Sequence, residues 1–240
     1  MKLIGNLYAY LWKGRDNNCN SYLFANCFKD GHHVIIDPGH LVTPVYKEPG
    51  LDRLIKEMEE DGLRVGDIGL VINSHLHLDH YEATPALIEK SKAQLAFHKI
   101  EEEYQKTVWK STALAMGLNP PDINPDFYLK EGKLVFDGQR KLSLEVYHTP
   151  GHSPGHLSIY WSKKKVLISG DVVFYQGVGR TDLPGGSFQA LKKSVERLSQ
   201  LDIEYLLPGH NYNFPPGHLG FLQGREEITH NFSLIKRFYF

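Results

Sequence analysis

Cysteine is nearly absent from this chain: Cys19 and Cys27 are the only two in 240 residues. Two thiols outside a C-x-x-C arrangement are too few for a disulfide framework. They are expected to be reduced and packed on adjacent strands. Long hydrophobic runs are missing too, and no stretch reaches the roughly 18 uninterrupted apolar residues of a membrane-spanning helix. The start, Met1-Lys2-Leu3-Ile4-Gly5-Asn6, leads into a tyrosine-rich strand, not the apolar core and small-residue cleavage site of a signal peptide. Nor does either charge dominate: 27 Lys and Arg face 28 Asp and Glu, a net charge of −1. That balance gives no electrostatic case for nucleic acid or a membrane surface as partner. A soluble cytoplasmic protein acting on a small molecule is the default expectation, with the oligomeric state left open.

Histidine, by contrast, is plentiful, with 13 in the chain. The run Ser74-His75-Leu76-His77-Leu78-Asp79-His80 follows an apolar stretch, Ile68 to Ile72, that reads as a buried strand. On a chain leaving that strand still extended, His75 and His77 project to the same side, because side chains alternate with period two. Asp79 and His80 come one turn later, where Tyr81 reads as a helix start. Imidazole and carboxylate ligands of this kind suit zinc, iron or manganese. Three further strands close on similar residues: Thr149-Pro150-Gly151-His152, Ser169-Gly170-Asp171 and Pro208-Gly209-His210. Turns at strand ends carry functional side chains on a rigid scaffold.

The remaining pattern is mixed. Leu7–Trp12, Ser21–Ala25 and Val34–Ile36 read as strands, and Gly50–Glu60 as a helix with Leu51, Leu54, Ile55 and Met58 on its buried stripe. Thr84–Ser91 reads as a helix and Ala93–Phe97 as a short strand. Ile100–Met116 favours helix, ended by Gly117 and Pro120-Pro121, and Asn119–Asp126 reads as an exposed loop. Residues 99–130 are therefore expected to be a helical insertion within one domain spanning 1–240, since the candidate ligands on either side must share one site. Strands follow at Lys133–Phe136, Leu142–Tyr147, Leu157–Trp161, Val166–Ile168 and Tyr205–Leu207. Helices are expected at Phe188–Leu201 and Gln223–Arg237. Strand-rich halves with helices between and after them suggest two mixed sheets packed face to face and covered by helices.

The set H-x-H-x-D-H, a distant His, a distant Asp and a last His resembles the signature of the metallo-β-lactamase superfamily, and the resemblance covers essentially the whole chain. It implies an α/β fold, the four-layer αβ/βα sandwich of two mixed β-sheets flanked by helices. It also implies a ligand set. His75, His77 and His152 would hold one metal, Asp79, His80 and His210 a second, and Asp171 would bridge them. Two zinc ions are the expected cofactor, and iron or manganese suits the same donors. Two such cations lower the pKa of a shared water from about 15.7 toward 7, so the implied activity is that of a metal-dependent hydrolase. Asp79 and Asp171 are its candidate catalytic carboxylates. In the superfamily an aspartate at the position of Asp37 supports the metal-binding loop, and His156, four residues after His152, could orient the site.

Gly177-Val178-Gly179-Arg180-Thr181-Asp182 resembles the glyoxalase II-like and persulfide dioxygenase-like branch, where a basic residue here helps hold a glutathione moiety. Arg180 is thus the candidate substrate-binding cation, and a hydroxyacylglutathione-like thioester or ester the expected substrate. The chain departs from glyoxalase II in two ways: little follows His210, and the 99–130 insertion has no counterpart there. A persulfide dioxygenase with a single iron keeps the same residues and is the first alternative. A lactonase is another. That branch has a tyrosine three residues after the bridging aspartate, where this chain has Phe174, so Tyr175 would have to supply the substrate-binding phenol. His77 argues against the flavodiiron branch, which has Glu there. A non-enzymatic metal-binding protein is disfavoured because no ligand position is lost.

Overall fold

The computed structural model describes residues 1–138 and 141–240. Seven strands lie in chain order in the first sheet: β1 (Lys2–Ile4), β2 (Leu7–Tyr10), β3 (Ser21–Phe24), β4 (His33–Ile36), β5 (Ile68–Ile72), β6 (Gln94–His98) and β7 (Phe127–Leu129). Pairing is antiparallel from β1 to β4 and parallel from β4 to β7. The second sheet begins with β8 (Gly132–Phe136), β9 (Leu142–His148), β10 (Leu157–Trp161) and β11 (Val166–Gly170), all antiparallel. A two-stranded ribbon, β12 (Val173–Phe174) and β13 (Gly177–Val178), stands apart from it. The sheet is completed by β14 (Tyr205–Pro208), parallel to β11, and the edge strand β15 (Leu222–Gln223).

Side-chain alternation divides each strand between two cores. Phe24, Ile36 and Ile72 point inward and meet Leu144, Ile159, Trp161 and Ile168 of the second sheet. Their neighbours Leu23, Ile35 and Val71 point outward, against Leu51, Leu54 and Met58 of α1 (Gly50–Glu60) and Leu87 further along the chain. Between those helices lies α2 (Leu78–Tyr81), and Leu87 belongs to α3 (Thr84–Ser91). The second sheet is covered in the same way. Leu167 and Leu206 pack on Leu191, Val195 and Leu198, and on Ile228, Phe232 and Ile235. Burying one such Leu or Ile contributes about 1.5–3 kcal/mol, so the three clusters hold the four layers together.

The 99–130 segment is more than a helical insertion. A helix runs through α4 (Lys99–Tyr104), a π turn at Gln105–Trp109 and α5 (Lys110–Ala115), and the segment then returns as strand β7 beside β6. The last layers are α6 (Phe188–Leu198), capped by the Ser187 hydroxyl accepting from Ala190 N at 3.3 Å, and α7 (Arg225–Tyr239). Strands β1, β7, β12, β13 and β15 go beyond the sequence-based expectation. Each has three residues or fewer, too short for an alternation pattern to show. The cysteines are free and buried, but they flank β3 and do not lie on adjacent strands. Among the described residues, no helix is long and apolar enough to cross a membrane.

Candidate metal centre

The candidate ligands meet where the carboxyl ends of parallel strands from both sheets converge, the usual place for a site in such sheets. His75 follows β5, Asp171 follows β11, His210 follows β14, and His152 lies in the turn between β9 and β10. Backbone bonds stitch the two halves together here, Asn20 N donating to Gly209 O at 2.7 Å and Leu157 N to Ser74 O at 2.8 Å, while Gly209 N to Gly170 O at 2.8 Å ties the ends of β14 and β11. Gly209 must be glycine, because a Cβ there would collide with Asp171 Oδ1 and crowd His80 Cε1.

Three overlapping donor sets result: His75, His77 and His152; His75, His80 and Asp171; and Asp79, His80 and His210, each with one ligand atom per residue within 4.8 Å of the others. The rings are locked by what lies behind them. His152 Nδ1 donates to Arg180 O at 2.8 Å and His210 Nδ1 to Asn18 O at 3.0 Å. A carbonyl can only accept, so Nδ1 carries a proton in both rings, and each neutral ring turns its Nε2 lone pair to the centre. His80 Nδ1 donates to Asp37 Oδ2 at 3.0 Å. Asp37 also accepts from Ser74 N at 2.7 Å and from the Ser74 hydroxyl at 2.6 Å. With its proton given to Asp37, that hydroxyl accepts from His75 Nδ1 at 3.0 Å and leaves His75 Nε2 with its lone pair inward. His77 is reversed. Its Nδ1 lies 2.8 Å from His152 Nε2, and its Nε2 faces the Tyr104 hydroxyl at 3.3 Å.

Of the six buried side-chain atoms without a hydrogen-bond partner among the described residues, two, His75 Nε2 and Asp171 Oδ1, belong to these donor sets. Buried polar atoms are seldom left so, and these two share one donor set with His80. A pair of cations fits this donor chemistry. The electrostatics agree. Burial, with the neighbouring imidazoles, holds His75 well below the usual histidine range, hence neutral and able to ligate. Burial would raise Asp171, but His210 and His80 outweigh it and keep the carboxyl well below its usual range. His210 differs: burial opposes its protonation, yet Asp171 and Asp79 prevail and push it up to about 9, so a cation would have to displace the Nε2 proton that those carboxylates hold.

A cavity of about 490 Å³ opens over the centre, with His77, Asp79, His152 and Asp171 in its floor. Trp109, Met116 and Leu118 of the 99–130 segment line it, with Leu183 packed against the same Tyr104–Trp109 cluster, and Phe174 is also in the lining. Arg180 lines the cavity, but its guanidinium forks onto Asp182 at 2.7 and 2.6 Å. Tyr175 is not in the lining. Phe174, at the end of β12, is turned to the cavity, while Tyr175, in the turn that follows, stacks its ring on Phe214 at 4.8 Å. The lactonase-type phenol considered for Tyr175 is therefore misplaced. Other residues entered with little or no sequence signal. Asn17 Nδ2 holds Asp79 Oδ2 at 2.7 Å and is itself held by the Tyr212 hydroxyl at 2.6 Å. His156, singled out in the sequence four residues after His152, accepts at Nε2 from Asp171 N at 3.0 Å. Glu101, fully buried, accepts from Leu76 N at 2.9 Å, and from the Ser153 hydroxyl and Gly155 N at 2.6 Å each. Burial raises its carboxyl above the usual range against the pull of those three donors.

Two mixed sheets between helices, with histidines and carboxylates gathered at their common edge, define an αββα metal-binding enzyme. Residues 14–210 match the profile of the Metallo-beta-lactamase superfamily, and the chain belongs to that superfamily. It is 33% identical over 205 residues to the probable metallo-hydrolase MJ0888 of Methanocaldococcus jannaschii, covering 82% of this chain and 89% of that protein. It is 32% identical over 184 residues to the hydroxyacylglutathione hydrolase GloC of Haemophilus influenzae, covering 74% and 79%. Among solved structures it resembles the B3 metallo-beta-lactamase BLEG-1, with a TM-score of 0.72, 27% identity and coverage of 95% and 99%. It also resembles TTHA1623 in a di-iron-bound form, with a TM-score of 0.68, 29% identity and coverage of 96% and 97%.

Proposed function

We propose that this chain is a metal-dependent hydrolase that cleaves an ester or thioester, of which a hydroxyacylglutathione-like thioester is the first to test. The observation that carries the reading is the pair of partnerless buried atoms, His75 Nε2 and Asp171 Oδ1, within the overlapping donor sets under an open cavity. His75, His77 and His152 would hold one cation, Asp79, His80 and His210 the other, and Asp171 both. Such a pair supplies Lewis acidity and a water of lowered pKa. The chain's own residues do the rest. Asp79, held by Asn17, and Asp171 accept hydrogen bonds from the reacting water, so its lone pair is turned to the carbonyl carbon. Trp109, Met116 and Leu118 exclude bulk water from one side of the bound substrate. Arg180, on the rim, can reach an anionic acyl carrier only by leaving Asp182.

Zinc is the expected metal, and the di-iron form of TTHA1623 keeps iron as the second choice. Similarity to an N-acyl homoserine lactonase of Bacillus thuringiensis, 26% over 161 residues, makes lactones the natural comparison substrates. The test is a panel of thioesters, esters, lactones and glutathione persulfide, with protein loaded with zinc or iron. Thioester or ester turnover that is abolished by a chelator is expected. Oxygen uptake on persulfide, with no hydrolysis of the other substrates, would overturn the hydrolase reading.

A further inference from the structure

We propose that Glu101, carried by the helix of the 99–130 segment, is a positioning residue for the three-histidine cation site. The inference rests on the reading of His75, His77 and His152 as ligands. Glu101 joins two stretches of chain that carry all three. Its Oε2 accepts from Leu76 N, the peptide between His75 and His77, at 2.9 Å. Its Oε1 accepts from the Ser153 hydroxyl and from Gly155 N, both just beyond His152, at 2.6 Å. One carboxylate thus spans the gap between the segment after β5 and the turn after β9, and its two oxygens set their separation.

The fit is close. The Glu101 side chain is fully buried, and a Cβ on Gly155 would crowd Glu101 N and Cγ. One turn further along, Tyr104 places its hydroxyl 3.3 Å from His77 Nε2. His77 presents Nδ1 to the centre, so Nε2 carries the proton and the tyrosine oxygen accepts it. The same helix therefore holds the backbone between two ligands and fixes the tautomer of one of them. Among the described residues no Lys, Arg or His pairs with Glu101, and its partners are all neutral donors. A buried carboxylate without a counter-ion is costly. A divalent cation held by three neutral imidazoles nearby is the compensating charge that this arrangement fits.

The outer partners of metal ligands commonly change affinity by about 10–100-fold when removed. Glu101→Gln keeps the shape but turns an N–H toward a donor, either Leu76 N or the Ser153 and Gly155 pair, so one side of the span opens. The experiment is a Co²⁺ titration of the full chain, in competition with a chelator and followed by visible absorption. Melting of the metal-free protein is recorded in parallel. Glu101→Gln is expected to weaken the three-histidine site by about 10–100-fold and to shift its absorption bands, leaving the Asp79, His80 and His210 site at wild-type affinity. Ser153→Ala, which removes one donor and risks little in folding, should act in the same direction by a smaller factor. Wild-type affinity at both sites in the two variants overturns the inference, and so does an equal loss at both sites with a lower melting temperature. A wild-type chain that takes up no Co²⁺ would overturn the metal reading itself.

Discussion

Replacing Asp37 with Asn should disable both halves of the metal centre while the backbone stays as it is. Asp37 sits at φ 53°, a left-handed conformation that Asn tolerates as well as Asp. The change is in hydrogen-bond logic. The carboxylate accepts three times, from Ser74 N at 2.7 Å, Ser74 Oγ at 2.6 Å and His80 Nδ1 at 3.0 Å. An Asn oxygen must stay with Ser74 N, whose proton cannot turn away, so the amide N–H₂ faces the other two. The Ser74 hydroxyl then becomes an acceptor there and gives its proton to His75 Nδ1, which moves the His75 proton to Nε2 and blocks the lone pair that faces the centre. His80 is driven to the same wrong tautomer. Each site loses one properly oriented ring, at about 10–100-fold in affinity, or about 1.4–2.8 kcal/mol. The assay is zinc binding in competition with a chromophoric chelator, with a melting curve of the chelated protein as the control for folding. Asp37→Asn protein that melts like wild type and still binds two ions with wild-type affinity would refute the tautomer argument.

Three further outcomes follow from the geometry. Asp79→Ala removes a candidate ligand whose carboxylate also meets Asn17 and His210, so turnover should drop at least about 100-fold with little change in melting temperature; an active variant with unchanged metal content would contradict the assignment. Arg180 has its guanidinium fork occupied by Asp182 on an exposed rim, so Arg180→Ala should lower kcat/KM for an anionic thioester by less than about tenfold; a larger loss, absent with a neutral ester, would show that the guanidinium leaves Asp182 for substrate. Burial and then His148 push His98 down to about 4, so the unfolded chain takes up the proton first, and stability present above pH 6.5 is lost as pH falls toward 4. The ring is only half buried and water screens it, so the loss comes to about 1 kcal/mol, a drop of about 2–4 °C. His98 Nδ1 also accepts from Ile100 N at the start of α4, so His98→Asn, which can keep that cap, should flatten the melting profile between those pH values.

Parts of this fold were legible at once, for physical reasons. The helix Gly50–Glu60 and the strand Ile68–Ile72 match the sequence-based bounds, because each has enough residues for its period to show. Strand β7 did not show. Phe127 and Tyr128 are exposed, and only the parallel template of β6 makes this short stretch extended. The ligand residues stand together in one motif and at strand ends, which is why their order could be read. What supports them could not. Glu101 opens the run Glu101-Glu102-Glu103, which reads as a solvated helix face, and it is buried because the loop after β5 and the turn before β10 bring Leu76 and Gly155 against it. Likewise nothing in Phe174-Tyr175 says which ring faces the cavity until the two-residue strand β12 is placed.

The central claim is a centre for two cations built from His75, His77, Asp79, His80, His152, Asp171 and His210. Elemental analysis of the chain purified without added metal tests it most directly, run beside a His75→Ala and a His210→Ala variant. Close to two transition-metal ions per wild-type chain are expected, falling to about one in each variant as its site is lost. A wild-type chain with no bound metal, or variants that keep the wild-type content, would contradict the account.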